Sequence, residues 1–459
     1  MRRQSTWAPR LADGTGSSAE RLAEALGRDI LSGRLDVDER LPAHRDLAWR
    51  LGVGVGSVTR AYAMLERRGL VRSSHGRGMF VAGKPEVSGA RFDLATNMPP
   101  PMFSDRALSR TLGRLARQVD ATLFNVYPPV AGHPEHRRIM AHWLETLGIS
   151  VAPERLLLTA GAQQALNVAL TVVRPHVAYA ATEEQTYPGM LGAMRQVGLP
   201  VHSVRMDEEG MEPASLEEVL HRHRGGRPVV YLTPTMQNPT TATMGRSRRR
   251  DIVSVCRGYE ALIVEDAVYV AGVEGEQPSL MELAPERTFL VSSLSKILSP
   301  GLRVGALVPP QCHMEAALSA LLTSSLMIAP LSYAMMALWM QDGTADSVRR
   351  SLRAEAIRRQ DLVTTHLGVP ASAASDPAFH AWLPMSTDRA AQLVECARTL
   401  GVSLPSARAF QSGEVVRRTG VRLALGNVTY RALPEALARV RQARMLVEEK
   451  APCETLPLY

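Results

Sequence analysis

Residues 292–305 read SSLSKILSPGLRVG, and the lysine near their centre is unusual for this chain. Of 53 basic residues only Lys84, Lys296 and Lys450 are lysines, and every other one is arginine. A chain so biased has little reason to keep lysine where any cation would serve. Lysine, unlike guanidinium, can lose its proton when buried and attack a carbonyl carbon. Lys296 is therefore the first candidate for covalent chemistry, and other stretches carry groups that would serve such an amine. In IVEDAVY, Asp266 closes a buried apolar run, with Tyr269 following it; a carboxylate there needs a cationic partner or several hydrogen bonds. In LLLTAGAQQALNVAL an apolar run turns at Gly161 into a helix starting near Ala162 and Gln163. Its free N–H groups and positive dipole end suit a phosphate. Ser293, Ser295 and Arg303 add hydroxyls and a guanidinium fork around the lysine. Each stretch alone also fits a plain structural role: a strand-to-helix turn, a buried anchor or, for Asn238 in TPTMQNPTT, a simple turn.

As an ordered set they fit one cofactor, pyridoxal 5′-phosphate. Its aldehyde requires the Lys296 amine, its pyridine nitrogen an acid such as Asp266, and its phosphate the helix start and Arg303. The elements that must position these groups are legible as apolar runs, RLLLTA, PVVYLTP, ALIVEDAVY, TFLVSS and RVGALVP, alternating with helical stretches such as AQQALNVALTVV. Continuous apolar strands with intervening helices predict an α/β domain with a mostly parallel sheet covered on both faces. Ligands of such sheets bind beyond the strand carboxyl ends.

The first ninety residues follow a different pattern. Arg2, Arg3 and Arg10 with no apolar segment after them predict a flexible tail over residues 1–16 rather than a signal peptide. Leu22, Leu26 and Ile30 predict a helix from Ser18 to Ser32, ended by Gly33. A second helix runs from Ala43 to Leu51 and stops at Gly52. A third runs from about Ser57, its cap, to Arg68, with Val58, Ala61, Tyr62 and Leu65 as its packing stripe. LVRSSHGRGMFVAG then reads as a β-hairpin. Three helices and a hairpin make a winged helix-turn-helix over 17–83. Arg40, Arg45, Arg50, Arg60, Arg67, Arg68, Arg72 and Arg77 are opposed between Arg40 and Phe80 only by Asp46 and Glu66. Such a face suits double-stranded DNA; a solvated face on a small interaction module is the alternative.

This segment resembles the GntR class of bacterial regulators through LSGRL, LPAHRDLAWRLGV, SVTRAYAMLERRGLV and GRGMFVAG. The turn GVGVGSVT departs from that class, with Val55 where many relatives have arginine and Gly54 and Gly56 added, so base readout would rest on Arg45, Ser57, Thr59, Arg60 and Arg77. Residues 84–91 read as a linker. Residues 92–459 resemble the fold-type I aminotransferases through YPPVAGHPEHRR, TAGAQQAL, TYPG, QNPT, EDAVY, SLSKILSPGLRVG and VRLALG. That implies a small C-terminal α/β subdomain, Lys296 as the Schiff-base lysine and Asp266 as the pyridinium partner. Tyr269 and Asn238 would bond the ring hydroxyl and Tyr187 would stack on the ring. Gly161, Ala162, Gln163, Ser293, Ser295 and Arg303 would hold phosphate, Tyr127 would reach the phosphate of a second subunit in a homodimer, and Arg422 would receive a substrate carboxylate. Two positions depart from the family pattern: Thr241 stands where relatives have glycine, and Leu294 where an aromatic is common.

The order of the two parts resembles the MocR subgroup of GntR regulators. It implies a transcriptional regulator whose aminotransferase-like domain senses pyridoxal phosphate, alone or as its aldimine with an amino compound. An active aminotransferase with a degenerate DNA-binding module is the competing expectation, since the groups for proton transfer are present. No apolar run approaches the roughly 20 residues that span a bilayer. Cys256, Cys312, Cys396 and Cys453 are widely spaced, which predicts structural thiols in a reducing cytoplasm and no metal site. The net charge of +8 permits an acidic partner.

Overall fold

The computed structural model describes residues 7, 10–12, 16–31, 34–35, 39–67, 70–74, 78–81, 92–102, 105–118, 120, 122–270, 277–369, 378–414 and 416–449. Contacts divide the chain into two units, Met1–Ala90 and Arg91–Tyr459.

The first unit contains α1 (Ser18–Leu31), α2 (His44–Leu51), α3 (Val55–Arg67) and the antiparallel hairpin of β1 (Val71–Ser74) and β2 (Gly78–Val81). The expected stripe of Val58, Ala61, Tyr62 and Leu65 is buried with Leu22 and Leu26 in one core. Tyr62 keeps its hydroxyl satisfied by donating to the Pro42 carbonyl at 2.8 Å. Gly52 ends α2 at φ +63, a left-handed turn that glycine adopts without a Cβ clash. Two expectations are corrected. Helix α3 begins at Val55, so Ser57 lies inside its first turn and does not cap it; the Ser57 amide donates to the Gly54 carbonyl at 2.9 Å. Residues 7 and 10–12 do not hang loose. The Trp7 indole is buried in the core and donates to Asp29 Oδ2 at 2.8 Å, while Arg10 and Arg34 reach Asp29 Oδ1 at 2.6 and 3.0 Å. An indole has both the apolar area and the N–H donor to anchor a short segment this way. Gly33, the hairpin turn with Arg77, and the linker 84–91 lie outside the described residues.

The second unit runs through β3 (Phe92–Asp93), α4 (Asp105–Gln118), α5 (Thr122–Asn125), α6 (Pro134–Thr146), β4 (Leu157–Thr159), α7 (Ala162–Val173), β5 (Tyr179–Glu183) and β6 (Val201–Val204). A short hairpin, β7 (Met206–Asp207) and β8 (Gly210–Met211), precedes β9 (Pro228–Leu232), β10 (Leu262–Asp266), β11 (Thr288–Ser293) and β12 (Gly305–Val308). Seven strands form one sheet in the order β4-β12-β11-β10-β9-β5-β6. All neighbours are parallel except β12, which runs antiparallel to both β11 and β4. Alternate residues feed opposite faces: Val229 and Tyr231 pack with α7, Val230 and Leu232 with the helices Pro213–Arg222 and Arg246–Gly258.

The antiparallel return of β12 decides where the chemistry gathers. Its first residue, Gly305, pairs with Ser293 at the end of β11 and with Thr159 at the end of β4. Arg303, two residues before β12, is therefore delivered to the same edge as the α7 N-terminus and the Ser293–Lys296 segment. The C-terminal subdomain pairs β13 (His380–Pro384) antiparallel with β15 (Gly420–Ala424), and β14 (Val402–Ser403) parallel with β3, under the helices Thr387–Thr399 and Leu433–Glu449. Arg422 projects from β15.

Candidate functional site

A cavity of about 370 Å³ opens at the carboxyl ends of the strands. Among its lining residues are Ala162, Gln163, Tyr187, Asn238, Asp266, Tyr269, Ser293, Ser295, Lys296, Arg303 and Arg422. Residues spread over 260 positions of sequence are thus brought to one hollow, of the size that small-molecule sites occupy. Gly161 stands at its rim and Tyr127 outside it, 76% exposed.

Lys296 follows β11 and donates from Nζ to the Asn97 carbonyl at 2.6 Å. Burial, reinforced by the positive charge of Arg422, holds its amine down to about 8 against the partial opposition of Asp266. Asp266 ends β10, fully buried, and burial pushes its carboxyl up to about 6. Two donors restrain that rise: the Tyr231 hydroxyl to Oδ2 at 2.8 Å and the Val268 amide to Oδ1 at 3.3 Å. The buried hydroxyl of Tyr269 accepts from Asn97 Nδ2 at 2.8 Å.

At the other end of the cavity Gly161 sits at φ +82 and helix α7 starts after it, presenting first-turn N–H groups that have no partner within the helix. A Cβ on Gly161 would stand 2.5 Å from Arg303 Nη2, so only glycine leaves the guanidinium room there. Arg303 itself adopts φ +53 and donates to the Ala160 carbonyl at 3.1 Å and to Ser295 Oγ at 3.5 Å. A non-glycine residue in this region is strained. Ser293 and Ser295 hydroxyls lie 3.0 Å apart beside it.

Arg422 is buried with its guanidinium 4.8 Å from the centre of the Phe410 ring. Nη1 donates to Asn238 Oδ1 at 3.0 Å and Nη2 to the Ala95 carbonyl at 2.6 Å, while Nε is buried without a hydrogen-bond partner. Asn238 is held by the preceding Gln237, whose side-chain amide donates to Glu183 at 3.0 Å and to the Gln185 carbonyl at 2.6 Å. Thr241 occupies φ +65, which explains why a glycine suits this position; its amide donates to the Gln237 carbonyl at 2.7 Å. Leu294 is fully buried in apolar surroundings.

Sequence reasoning missed Asn97, Tyr231 and Phe410. Tyr231 lay in view inside PVVYLTP, where a phenol in an otherwise apolar strand signals a buried hydrogen bond. Asn97 stands in an irregular segment and Phe410 at the end of the one-turn 3-10 helix Ala407–Phe410, neither with a periodic signal.

In the first unit Arg45, Thr59 and Arg60 are exposed and Ser57 half-buried. Thr59 Oγ1 donates to the Val55 carbonyl at 3.1 Å, leaving its lone pairs and methyl outward. Trp49 on α2 is 85% exposed.

A seven-stranded sheet with one antiparallel member, and a lysine, aspartate and two arginines around its carboxyl-end cavity, define a class I and II aminotransferase fold. The family model for class I and II aminotransferases matches residues 92–440, and that for bacterial regulatory proteins of the gntR family matches residues 18–81. The chain is 30% identical to the HTH-type transcriptional regulator TauR of Rhodobacter capsulatus, over 94% of this chain and 97% of that protein. It is 27% identical to the HTH-type pyridoxine biosynthesis transcriptional regulator PdxR of Corynebacterium glutamicum, over 76% and 78% of the two chains. Among solved structures, an archaeal alanine:glyoxylate aminotransferase superposes with a TM-score of 0.69 at 22% identity, covering 86% of this chain and 95% of its own. The chain belongs to the MocR-type regulators, which join a gntR-family helix-turn-helix domain to a class I and II aminotransferase domain.

Proposed function

We propose that this regulator binds pyridoxal 5′-phosphate in the cavity around Lys296 and changes its affinity for double-stranded operator DNA when the cofactor, alone or joined to an amino compound, occupies it. The observation that carries the reading is one cavity lined by Lys296, Asp266, Arg303 and Arg422, in a chain that also carries a basic winged helix. The residues fit the cofactor. Gly161 leaves a cradle that a Cβ would fill, and the buried Arg422 Nε awaits an acceptor.

When bound, pyridoxal phosphate supplies an aldehyde for an amine and an electron-withdrawing ring. Lys296 offers the amine from the cavity floor. Asp266 would hold a proton at the ring nitrogen, and the Tyr231 hydroxyl, donating to its Oδ2, favours the ionised carboxyl that this needs. The α7 N–H groups, Ser293, Ser295 and Arg303 would hold the phosphate, with Tyr187 toward the ring and Tyr269 and Asn238 toward its hydroxyl. Arg422 orients a carboxylate with its fork. On DNA, α3 presents Thr59 and Arg60 to the major groove, with Arg45 on α2 at the backbone; Arg77 would act from the hairpin turn. Tyr127 completes the phosphate site of a second copy, which accounts for its exposure and makes the homodimer the working unit. Its place of action is the cytoplasm, where operator DNA is; among the described residues no single helix is long and apolar enough to cross a membrane.

The test is fluorescence anisotropy of the full chain on its own upstream DNA at fixed moderate salt, with and without pyridoxal phosphate. Specific binding altered by the cofactor is the expected result. Cofactor-loaded protein indifferent to that DNA but turning over amino donors would favour the enzyme instead.

A further inference from the structure

The two cations of the site donate to two carbonyls of one short stretch, which is neither cofactor nor substrate. Lys296 Nζ donates to the carbonyl of Asn97 and Arg422 Nη2 to that of Ala95, both at 2.6 Å. Asn97 also donates from Nδ2 to the Tyr269 hydroxyl, which leaves the phenol's own proton free to point into the cavity. These three contacts come from one stretch of backbone, the first that the chain forms after entering its second unit at Arg91. The stretch is anchored just upstream: β3 lies beside β14, Asp93 accepts from the Ala95 and Thr96 amides at 2.7 and 3.1 Å, and Asn427 donates to Asp93 at 2.7 Å.

We propose that residues 95–97 read the occupancy of the site, with Asn97 as the positioning residue that ties Lys296 and Tyr269 to the start of the second unit. The inference rests on the proposed cofactor site and deepens it by naming the backbone through which it would regulate. A ligand competes for both donors. When the neutral Lys296 amine forms a C=N bond to an aldehyde carbon, its two N–H protons leave with the carbonyl oxygen as water. The Asn97 carbonyl then loses its donor. A ligand carboxylate on the Arg422 fork displaces the Ala95 carbonyl in the same way. Two half-buried carbonyls without donors favour a shift of this stretch, and it follows the linker to the DNA-binding unit by way of β3. An effector changes a remote affinity only by favouring one of two arrangements, and the held and released forms of 95–97 supply the pair.

Amide hydrogen exchange of the full-length protein, followed on peptides covering 92–99 with β9 as the rigid reference, tests this directly. The probes are pyridoxal 5′-phosphate, succinate as a carboxylate without an amine, and both together. Borohydride trapping on Lys296 is read in parallel. Exchange at 94–98 should rise about fivefold with each probe, what losing one hydrogen bond of ordinary net strength gives, and further with both. Trapped Lys296 with unchanged exchange overturns the inference and leaves the cofactor site standing. Failure to trap at Lys296 overturns the site itself, and the inference with it. Asn97→Ala keeps the carbonyl that Lys296 bonds and removes only the amide on Tyr269, so it should raise exchange without ligand and leave the ligand-driven increment whole; an increment lost with that side chain would overturn the assignment of sensing to the backbone carbonyls. Arg422→Met, which removes the donor to Ala95, should already show the raised exchange without succinate.

Discussion

An amine held down to about 8 carries its lone pair at pH values where an ordinary lysine is almost wholly protonated. Below that pH Lys296 is charged and inert, and above it neutral and nucleophilic. Its capture of pyridoxal phosphate should therefore quicken as pH rises and level off above about 8. Arg422→Met removes a positive charge that favours the neutral amine, so the profile should move to higher pH and capture at neutral pH should slow several-fold. Stopped-flow absorbance across pH would show this, and an unmoved profile would mean that burial alone sets the amine. The scarcity of lysine made this residue visible in the sequence, as the strand-end position did for Asp266. What stayed hidden at this scale were the groups acting through backbone or loops. Asn97 works partly through its carbonyl, which every residue type possesses, and its residue type could not announce that contact.

At the scale of elements, the cradle at the start of α7 depends on one missing atom. Gly161→Ala would place a methyl 2.5 Å from Arg303 Nη2 at a φ of +82. The flexible guanidinium would move away, costing one charge-assisted contact to phosphate. Retention of pyridoxal phosphate should fall about tenfold to a hundredfold, measured by dialysis against the free cofactor, with far-UV circular dichroism unchanged. In the DNA-binding unit, Arg60 is exposed on α3. Arg60→Ala should weaken operator binding and reduce the salt slope by about 1 if it neutralises a phosphate; an unchanged slope would move it off the backbone. The buried strands β4, β9, β10 and β11 were legible as apolar runs, because burial on both faces leaves no polar alternation. The direction of β12 was not, since an apolar run carries no sign of parallel or antiparallel pairing. Strands β5 and β6 escaped for other reasons: Tyr-Ala-Ala-Thr-Glu is small and polar for a buried strand, and Val-His-Ser-Val lies at the sheet edge, half-exposed.

At the scale of the whole molecule, the second unit leaves large apolar side chains in water that a lone copy has no use for. Phe124, Val126 and Tyr127 are 53, 59 and 76% exposed in one short stretch across the end of α5, and Leu112, Leu326 and Leu331 are each more than 40% exposed elsewhere on the unit. Leu326 is moreover held at φ +57, a strained conformation that gains nothing from facing solvent. Exposed apolar residues in such number suit an interface, and a second copy of the chain is the proposed occupant, the one that would also put Tyr127 to work on a phosphate. On the proposed homodimer, replacing Phe124 and Val126 with aspartate should give a monomer in sedimentation velocity where the parent chain sediments as a dimer. If the partner's tyrosine completes each site, cofactor retention must fall together with dimerisation, and operator affinity must fall as well, because one winged helix reads only half of a two-fold site. Tyr127→Phe should weaken cofactor retention while sedimentation still reports a dimer. A monomeric double variant that keeps the cofactor as tightly as the parent would place Tyr127 outside the site and leave the exposed stretch to some other partner.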